Sequence, residues 1–355
     1  MIKTKDCAQY LLEKTLNDKW KVVEKIKKEP NETGGNFSVG YIAIDTNGKK
    51  VFLKAFDFSK AFSGTVDAMK VLNHMTNAYD FEVKLMNKCV GSNLRYVVKL
   101  IDANQYIEDG FLYPVPYMVF EFAESSARKI INISAQIDAA WSLRSLHNIA
   151  VALYELHKVN IAHQDVKPSN VMIFNGKKTS KIGDVGRSSS LDMRIDHDDL
   201  ICAGDISYSP WEQLYGWIDS DWEVRRYSCD MYMFGNLIYT YFNGLSINTS
   251  MLTRIKKEYR PKLLNGSYSG TYWDILPLLV HIFDRTLLEF NSDISDPLRS
   301  ELISLVKQLS HPDYLNQRGD LKRNGAQRFS MERFITKLDL MASQYEYKLK
   351  KGLLE

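Results

Sequence analysis

Cysteine is scarce in this chain. Cys7, Cys89, Cys202 and Cys229 are scattered over 355 positions, and no two of them form a Cys-x-x-Cys pair. That spacing excludes the common zinc knuckles and dithiol redox motifs. So few thiols in so long a chain also argue against a disulfide framework, and four free thiols in a reducing compartment are expected. Long apolar runs are missing too. The most apolar stretch, around residues 275–283, is too short to span a bilayer, and Met1 to Asp6 carry no apolar signal core. Nor is there an excess of one charge. Lys and Arg number 46 against 43 Asp and Glu, a formal charge of +3, which gives no reason to expect nucleic acid or an anionic membrane as partner. Repeats and low-complexity tracts are absent. What is there is an ordinary globular composition, 45% hydrophobic and 25% charged, which argues against disorder. The length suits one large domain or two modest ones. A soluble, cytoplasmic protein is the expectation.

Short runs rich in β-branched and aromatic residues predict strands over residues 20–26, 39–45, 51–56, 96–101 and 117–122. The second and third are joined across Asn47-Gly48, a strong hairpin signal. Residues 6–16 read as a short amphipathic helix and 69–89 as a long one. Leu143, Leu146, Ile149, Ala150, Leu153 and Leu156 recur at helical spacing. A further apolar helix covers 231–242, and another follows Ser330. Residues 245–296 read as helical and loopy without evident chemistry. The class is therefore α+β: a β-rich first third with one long helix, then a mainly helical remainder.

The richest segment is His163-Gln164-Asp165-Val166-Lys167-Pro168-Ser169-Asn170, followed downstream by Gly183-Asp184-Val185-Gly186. Phosphoryl transfer needs an acceptor for the substrate proton, divalent metal on the phosphates, and cations against the developing charge. An aspartate, a lysine two residues on and an asparagine five on supply such groups from one loop. Asn170 offers a neutral oxygen and Asp184 an anionic one, a pairing suited to Mg2+. This segment resembles the catalytic loop of eukaryotic-like (Hanks-type) serine/threonine protein kinases, and Asp184-Val185-Gly186 resembles their metal-binding Asp-Phe-Gly motif.

Other motifs of that family follow in order. Val51-Phe52-Leu53-Lys54 resembles the strand whose lysine meets the α- and β-phosphates, and Glu82 the helix glutamate that pairs with it. Phe120-Glu121-Phe122-Ala123 resembles the interlobe hinge, where backbone groups near Glu121 and Ala123 would hold adenine. Ser209-Pro210-Trp211-Glu212 stands where the family has Ala-Pro-Glu, and Glu212 would pair with Arg328. Asp230 would anchor the catalytic-loop backbone. Met86, Leu100, His163 and Val185 would form an internal hydrophobic column, with Met172 under the adenine. The resemblance runs from about Trp20 to Leu340. It implies a bilobal kinase-like fold: an N-terminal helical extension (1–19), an N-lobe (20–122), a C-lobe (123–345) with a helical insertion around 245–296, and a tail (346–355).

The chain departs from the pattern in three places. In the glycine-rich loop, Gly34-Gly35 stand where the family spreads three glycines, so backbone N–H groups there would cradle phosphate more loosely. In the adenine roof, Gly40 and Phe52 replace the usual valine and alanine, one losing the bulk that the other gains. In the catalytic loop, Gln164 replaces an arginine that normally meets a phosphate on the activation segment. That segment, residues 187–206, has no threonine and carries Asp192, Asp196, Asp198, Asp199 and Asp205. Asp205 stands in a usual threonine position and could accept a hydrogen bond from Lys167. Ser188, Ser189 and Ser190 read as a mobile serine-rich stretch open to autophosphorylation that would not act as an on-switch.

The resemblance implies an ATP- and magnesium-dependent kinase acting on serine or threonine of a protein substrate, independent of activation-segment phosphorylation. Its catalytic residues would be Asp165 and Lys167, its metal ligands Asn170 and Asp184. Nucleotide contacts would come from Gly34, Gly35, Phe52, Lys54, Glu82, Glu121, Ala123 and Met172. A non-catalytic binding module and a small-molecule phosphotransferase are the alternatives. Lys167, Glu212 and Asp230 count against the second, and joint retention of Lys54, Glu82, Asp165, Asn170 and Asp184 counts against the first.

Overall fold

The computed structural model describes residues 6–27, 38–62, 67–133 and 138–352. The chain divides into two compact units, Met1–Asn93 with Val98–Ala123, and Leu94–Val97 with Glu124–Glu355. The first is β-rich with one long helix and the second mainly helical, the α+β organisation expected.

The first unit is an antiparallel sheet of β1 (Thr15–Leu16), β2 (Trp20–Lys25), β3 (Ser38–Ile44), β4 (Lys50–Phe56), β5 (Leu100–Tyr106) and β6 (Val115–Glu121), in the order β1-β2-β3-β4-β6-β5. Alternation sets its faces. Val39, Tyr41 and Ala43 of β3 and Val51, Leu53 and Ala55 of β4 are buried, as a period of two demands. The β3–β4 turn closes as its sequence predicts. The amide of Gly48, at φ +79°, donates to Asp45 O, and Asp45 Oδ1 accepts from the amides of Asn47 and Lys49. Helix α1 (Ala68–Gly91) starts at Asp67, whose side chain accepts from the amides of Met69 and Lys70. It buries Phe81, Glu82, Leu85, Met86 and Cys89 along one stripe.

Two expectations are corrected here. Residues 6–16 are not a helix. They make one 3-10 turn (Cys7–Gln9) and then β1, which pairs with β2. The buried Cys7, Ala8 and Leu11 mimic a helical stripe. Glu13, however, turns the chain with φ +68°, and Asn17 and Asp18, both with positive φ, form a tight turn closed by Lys19 N on Leu16 O. The strand expected at 96–101 begins later, at Leu100. Tyr96 O instead accepts from Ile182 N, within the second unit. The helix that follows Ser330 runs as far as Lys350, and its Glu346 receives Arg144.

The second unit begins with β7 (Ser125–Ser126), α2 (Ala127–Ile133) and α3 (Ala139–Lys158). It continues with β8 (Ile161–Ala162), β9 (Val171–Phe174), β10 (Thr179–Ile182), β11 (Ser189–Ser190) and α4 (Trp211–Leu214). Next come α5 (Trp222–Asn243), α6 (Ile247–Leu252), α7 (Tyr272–Leu288), α8 (Asp296–Ser310) and α9 (Glu332–Lys350). Helix α5 is buried on every side from Arg226 to Phe242, which makes it the axis of this unit. β9 pairs with β10 and β8 with β11. These short ladders bracket two loops, 163–170 and 183–188, and so hold them side by side.

The partner of Glu212 is also corrected: it is Arg318, not Arg328. Arg318 Nη1 and Nη2 meet Glu212 Oε1 and Oε2 at 2.6 and 2.9 Å. Its remaining N–H groups go to the carbonyls of His311 and Ser228, so all five donors of a guanidinium with no solvent exposure are used. Arg328 instead caps the chain at Arg318 O and Leu315 O. Removing one member of a buried pair strands the other charge, at a cost of about 3–5 kcal/mol. Arg318→Met is therefore expected to lower the urea midpoint far more than Arg328→Ala. Equal losses at unchanged slope would show that the pair carries no special weight.

Candidate active site

In the first unit, Lys54 Nζ lies 2.7 and 3.0 Å from the two carboxylate oxygens of Glu82. Strand β4 presents the lysine on the sheet face opposite the Val51–Leu53–Ala55 row, and α1 presents the glutamate from its buried stripe. The ammonium sits 5.4 Å from the Phe56 ring centroid, a further favourable contact for a cation. Phe52 lies on the same face as Lys54, paired across the sheet with Phe120 at a ring-centroid distance of 6.3 Å. Gly40 pairs with Lys54, and Ile42 with Phe52, so Gly40 and Phe52 are diagonal neighbours. A Cβ on Gly40 would come within 3.1 Å of the Phe52 ring. The ring fills the space that the glycine vacates. Glu121 closes β6; its N–H donates to Lys99 O and its Oε1 accepts from Lys99 N, so that amide is committed and cannot serve an adenine. Ala123 follows at the end of this unit. Gly34 and Gly35 lie outside the described residues.

In the second unit the loop before β9 is built on Asp230, which has no solvent exposure. Its carboxylate accepts the amides of His163 and Gln164, both at 2.7 Å, the Gln164 side-chain amide at 2.9 Å, and sits 2.9 Å from His157 Nε2. Burial pushes its pKa up, yet His157, His163 and these donors outweigh burial and hold it below the usual carboxylate value. Gln164 can therefore keep a left-handed φ of +61°, a costly conformation for a residue with a Cβ. The ring of His163 contacts Gly183 O through Nε2 and receives Asp165 N at Nδ1. A carbonyl only accepts and an amide N–H only donates, so Nε2 carries the hydrogen.

Asp165 stands at the centre. Asn170 Nδ2 donates to its carbonyl at 2.8 Å and to Oδ2 at 2.9 Å, Lys167 Nζ lies 3.0 Å from Oδ2, and Asp205 N donates to Oδ1 at 2.8 Å. A carboxylate has about four acceptor positions, so among the described residues one on Oδ1 is unfilled. Both partners of Asn170 Nδ2 are acceptors, which fixes the amide and, among the described residues, leaves Oδ1 without a hydrogen bond. Burial pulls the Lys167 pKa down, but Asp165 and Asp205 outweigh it and hold the ammonium charged. Lys167 Nζ lies 3.5 Å from Asp205 Oδ2, the contact anticipated for that residue. Asp184, at φ +55°, opens the short turn that follows Gly183 and acts on Lys167 through its charge. Gly183 N donates to Asn170 O, which ties the two loops together. Met172 lies on β9, half-buried, paired with Lys181.

Among the described residues no cluster of three or more His, Cys, Asp or Glu side chains is arranged to hold a metal. Asn170 and Asp184 supply hard oxygens but not a cage. That donor set fits Mg2+, which takes one or two protein oxygens and completes its shell with phosphate and water.

Sequence reasoning missed Gly204. A Cβ there would overlap Gln164 O and lie 2.8 Å from Asp165 Oδ1, so no larger residue lets Asp205 N reach the carboxylate. The Gly204-Asp205 pair just before the Ser209–Glu212 motif is the sequence signal for it. Ser188, Ser189 and Ser190, expected in a mobile stretch, are packed into the second unit. All three are buried; Ser189 and Ser190 form β11 against β8, and Ser188 Oγ donates to His163 O.

A family model described as the protein kinase domain matches residues 34–318. The chain belongs to the protein kinase family. It is similar to the probable serine/threonine-protein kinase zyg-1 of Caenorhabditis elegans, with 28% identity over 58% of this chain and 25% of that protein. It is also similar to the Wee1-like protein kinase of Arabidopsis thaliana, with 34% identity over 34% of this chain and 22% of that one. The CTD kinase subunit alpha of Saccharomyces cerevisiae is 25% identical over 53% of this chain and 35% of its own length. The matched segments thus span a third or less of most of these relatives. The bilobal α+β kinase fold follows from this membership together with the two units described above.

The roof pair yields a test. Valine prefers strands and glycine weakens them by roughly 0.5–1 kcal/mol, so without the Phe52 ring Gly40→Val would stabilise. Against the ring it is expected to destabilise by about 1–3 kcal/mol through overpacking and to weaken nucleotide binding. Adding Phe52→Ala should restore both, a coupling visible in a double-mutant cycle. Additive effects would show that the two positions do not compensate.

Proposed function

We propose that this protein transfers the γ-phosphate of ATP, with Mg2+, to serine or threonine hydroxyls of protein substrates. The observation that carries the reading is the Asp165 carboxylate. Three fixed donors hold it while one acceptor position stays available, as a base for a substrate hydroxyl requires. Lys167, held charged beside it, would neutralise charge developing on the transferred phosphoryl group. Asn170 Oδ1 and Asp184 would hold Mg2+, whose chemistry is to screen the phosphate oxygens. Lys54, oriented by Glu82, would meet the α- and β-phosphates. Phe52, Met172, Gly34, Gly35, Ala123 and the carbonyl side of Glu121 would line the nucleotide. The Asp-x-Lys-x-x-Asn spacing and the names of several relatives, including the probable serine/threonine-protein kinase zyg-1, support serine/threonine over tyrosine as acceptor. Four free thiols, three of them buried, suit a reducing, cytoplasmic setting.

Activation-segment phosphorylation is not required in this reading. Its support is the burial of Ser188, Ser189 and Ser190 and the absence of threonine between residues 187 and 206.

Purified protein with labelled ATP, Mg2+ and a generic protein substrate is expected to phosphorylate serine and threonine. Asp165→Asn should lower turnover about 10²–10⁴-fold, the usual weight of a general base. Asp184→Asn and Lys54→Ala should abolish transfer, with all three variants still unfolding in a single cooperative urea transition. Phosphatase-treated enzyme should keep most of its activity. Wild-type-like turnover by Asp165→Asn would remove its assigned role, and a wild type that binds nucleotide without transfer would point to a binding module.

A further inference from the structure

The family's arginine beside the catalytic aspartate is replaced by Gln164, yet a guanidinium is present nearby. It comes from α5. Arg226 Nη1 donates to Gln164 Oε1 at 3.1 Å, while Gln164 Nε2 donates to Arg226 O and Asp230 Oδ1, both at 2.9 Å. The other terminal nitrogen, Nη2, reaches the 187–206 segment. It donates to Asp198 O at 2.9 Å and to Asp198 Oδ1 at 3.2 Å. Asp198 lies in a 3-10 turn (Asp196–Asp199). Its carboxylate also accepts from Ser189 Oγ and from Ile195 N at 3.1 Å. Arg225 Nη2 adds bonds to Asp198 O and Leu200 O. The Arg226 side chain is 2% exposed and that of Asp198 13%, so the pair is desolvated.

We propose that Asp198 is the built-in counter-charge of the activation segment. Paired with Arg226 and relayed through Gln164, it acts as a positioning residue that holds residues 187–206 in the order that places Asp205 N on Asp165. This rests on the kinase reading above and names how that site is kept ordered without a phosphate. The physical case is the charge balance. Arg225 and Arg226 stand in the second turn of α5, near the positive end of its dipole, and burial pulls both their pKa values down. Asp198 is the carboxylate in salt-bridge contact with Arg226, and a buried guanidinium without one is strongly unfavourable. A carboxylate supplies part of what a phosphate supplies elsewhere, namely anionic acceptor oxygens for a planar fork of donors. It is in place as soon as the chain folds.

The test uses the full chain and two readouts. Asp198→Asn keeps the shape and removes the charge. Its kcat toward protein substrate is expected to fall at least about tenfold, within the range of such couplings, while the KM for ATP stays unchanged. Amide hydrogen exchange in 187–206, Asp205 N included, should quicken by a similar factor, with the amides of α5 and α8 unaffected. Arg226→Gln should do the same, and the double variant no more than the worse single one. Asp199→Asn, an exposed member of a surface pair with Arg194, should change neither readout. Unaltered exchange in 187–206, additive losses, or equal loosening throughout the second unit would overturn the proposal. If the wild type transfers no phosphate, the kinase reading fails, and the exchange measurements still decide the role of Asp198.

Discussion

Asp230 is the point on which the second unit's chemistry hangs. A carboxylate without solvent has a large desolvation cost, and it persists only where donors replace the lost water. Here two consecutive backbone amides, one side-chain amide and an imidazole converge on it. Two consecutive amides close on one carboxylate where the backbone turns at Gln164, which takes φ +61°. The strain is offset by hydrogen bonds to a charged acceptor, stronger than neutral ones. Once the turn is fixed, Asp165 has no choice of direction. Asp165 is thus aimed by a carboxylate buried beneath its loop.

The same loop recruits its surroundings in layers. Asn170 and Lys167 reach back to Asp165 from the following turn. Gly204 lets a separate strand of backbone close on it from the other side. Arg226 then takes up Gln164 and carries the connection to Asp198. In a low-dielectric interior each of these bonds is stronger than in water, and each unpaired member is costlier. A network of this kind is ordered as a whole or not at all, which is why a charge some thirty residues along the chain bears on the geometry of Asp165.

Local signals were legible in the sequence, and distant ones were not. Asn47-Gly48 announced its hairpin because the turn is decided by four residues. Lys54 and Glu82 were found by motif, and their ion pair is present. The helix expected at 6–16 failed because Cys7, Ala8 and Leu11 have helical spacing, while the left-handed turns at Glu13 and Asn17-Asp18 decide otherwise. Arg318 and Arg328 are ten residues apart in similar polar surroundings, and nothing in the string shows which guanidinium enters the core beside Glu212. The serines at 188–190 read as a mobile stretch because their burial depends on β8, a partner strand nearly thirty residues earlier.

Two of the chain's departures from its family share a logic. At the sheet, Gly40 gives up volume that Phe52 occupies; in the catalytic loop, Gln164 gives up a charge that Arg226 supplies. The first exchange was visible in the sequence because strand register makes positions twelve residues apart neighbours, and register follows from one hairpin. The second was visible only as a loss. A neutral amide in place of a guanidinium reads as a missing cation until the fold brings another from 62 residues away. Gln164 suits that role because it has both a carbonyl oxygen and an amide. It accepts from Arg226 while donating to Asp230 and to the Arg226 backbone. An arginine at this position would instead set a second guanidinium against Arg226 in a buried setting. The substitution and the cation from α5 are therefore coupled: without Arg226 the Gln164 Oε1 loses its donor, and with arginine at 164 two guanidinium groups share one buried site.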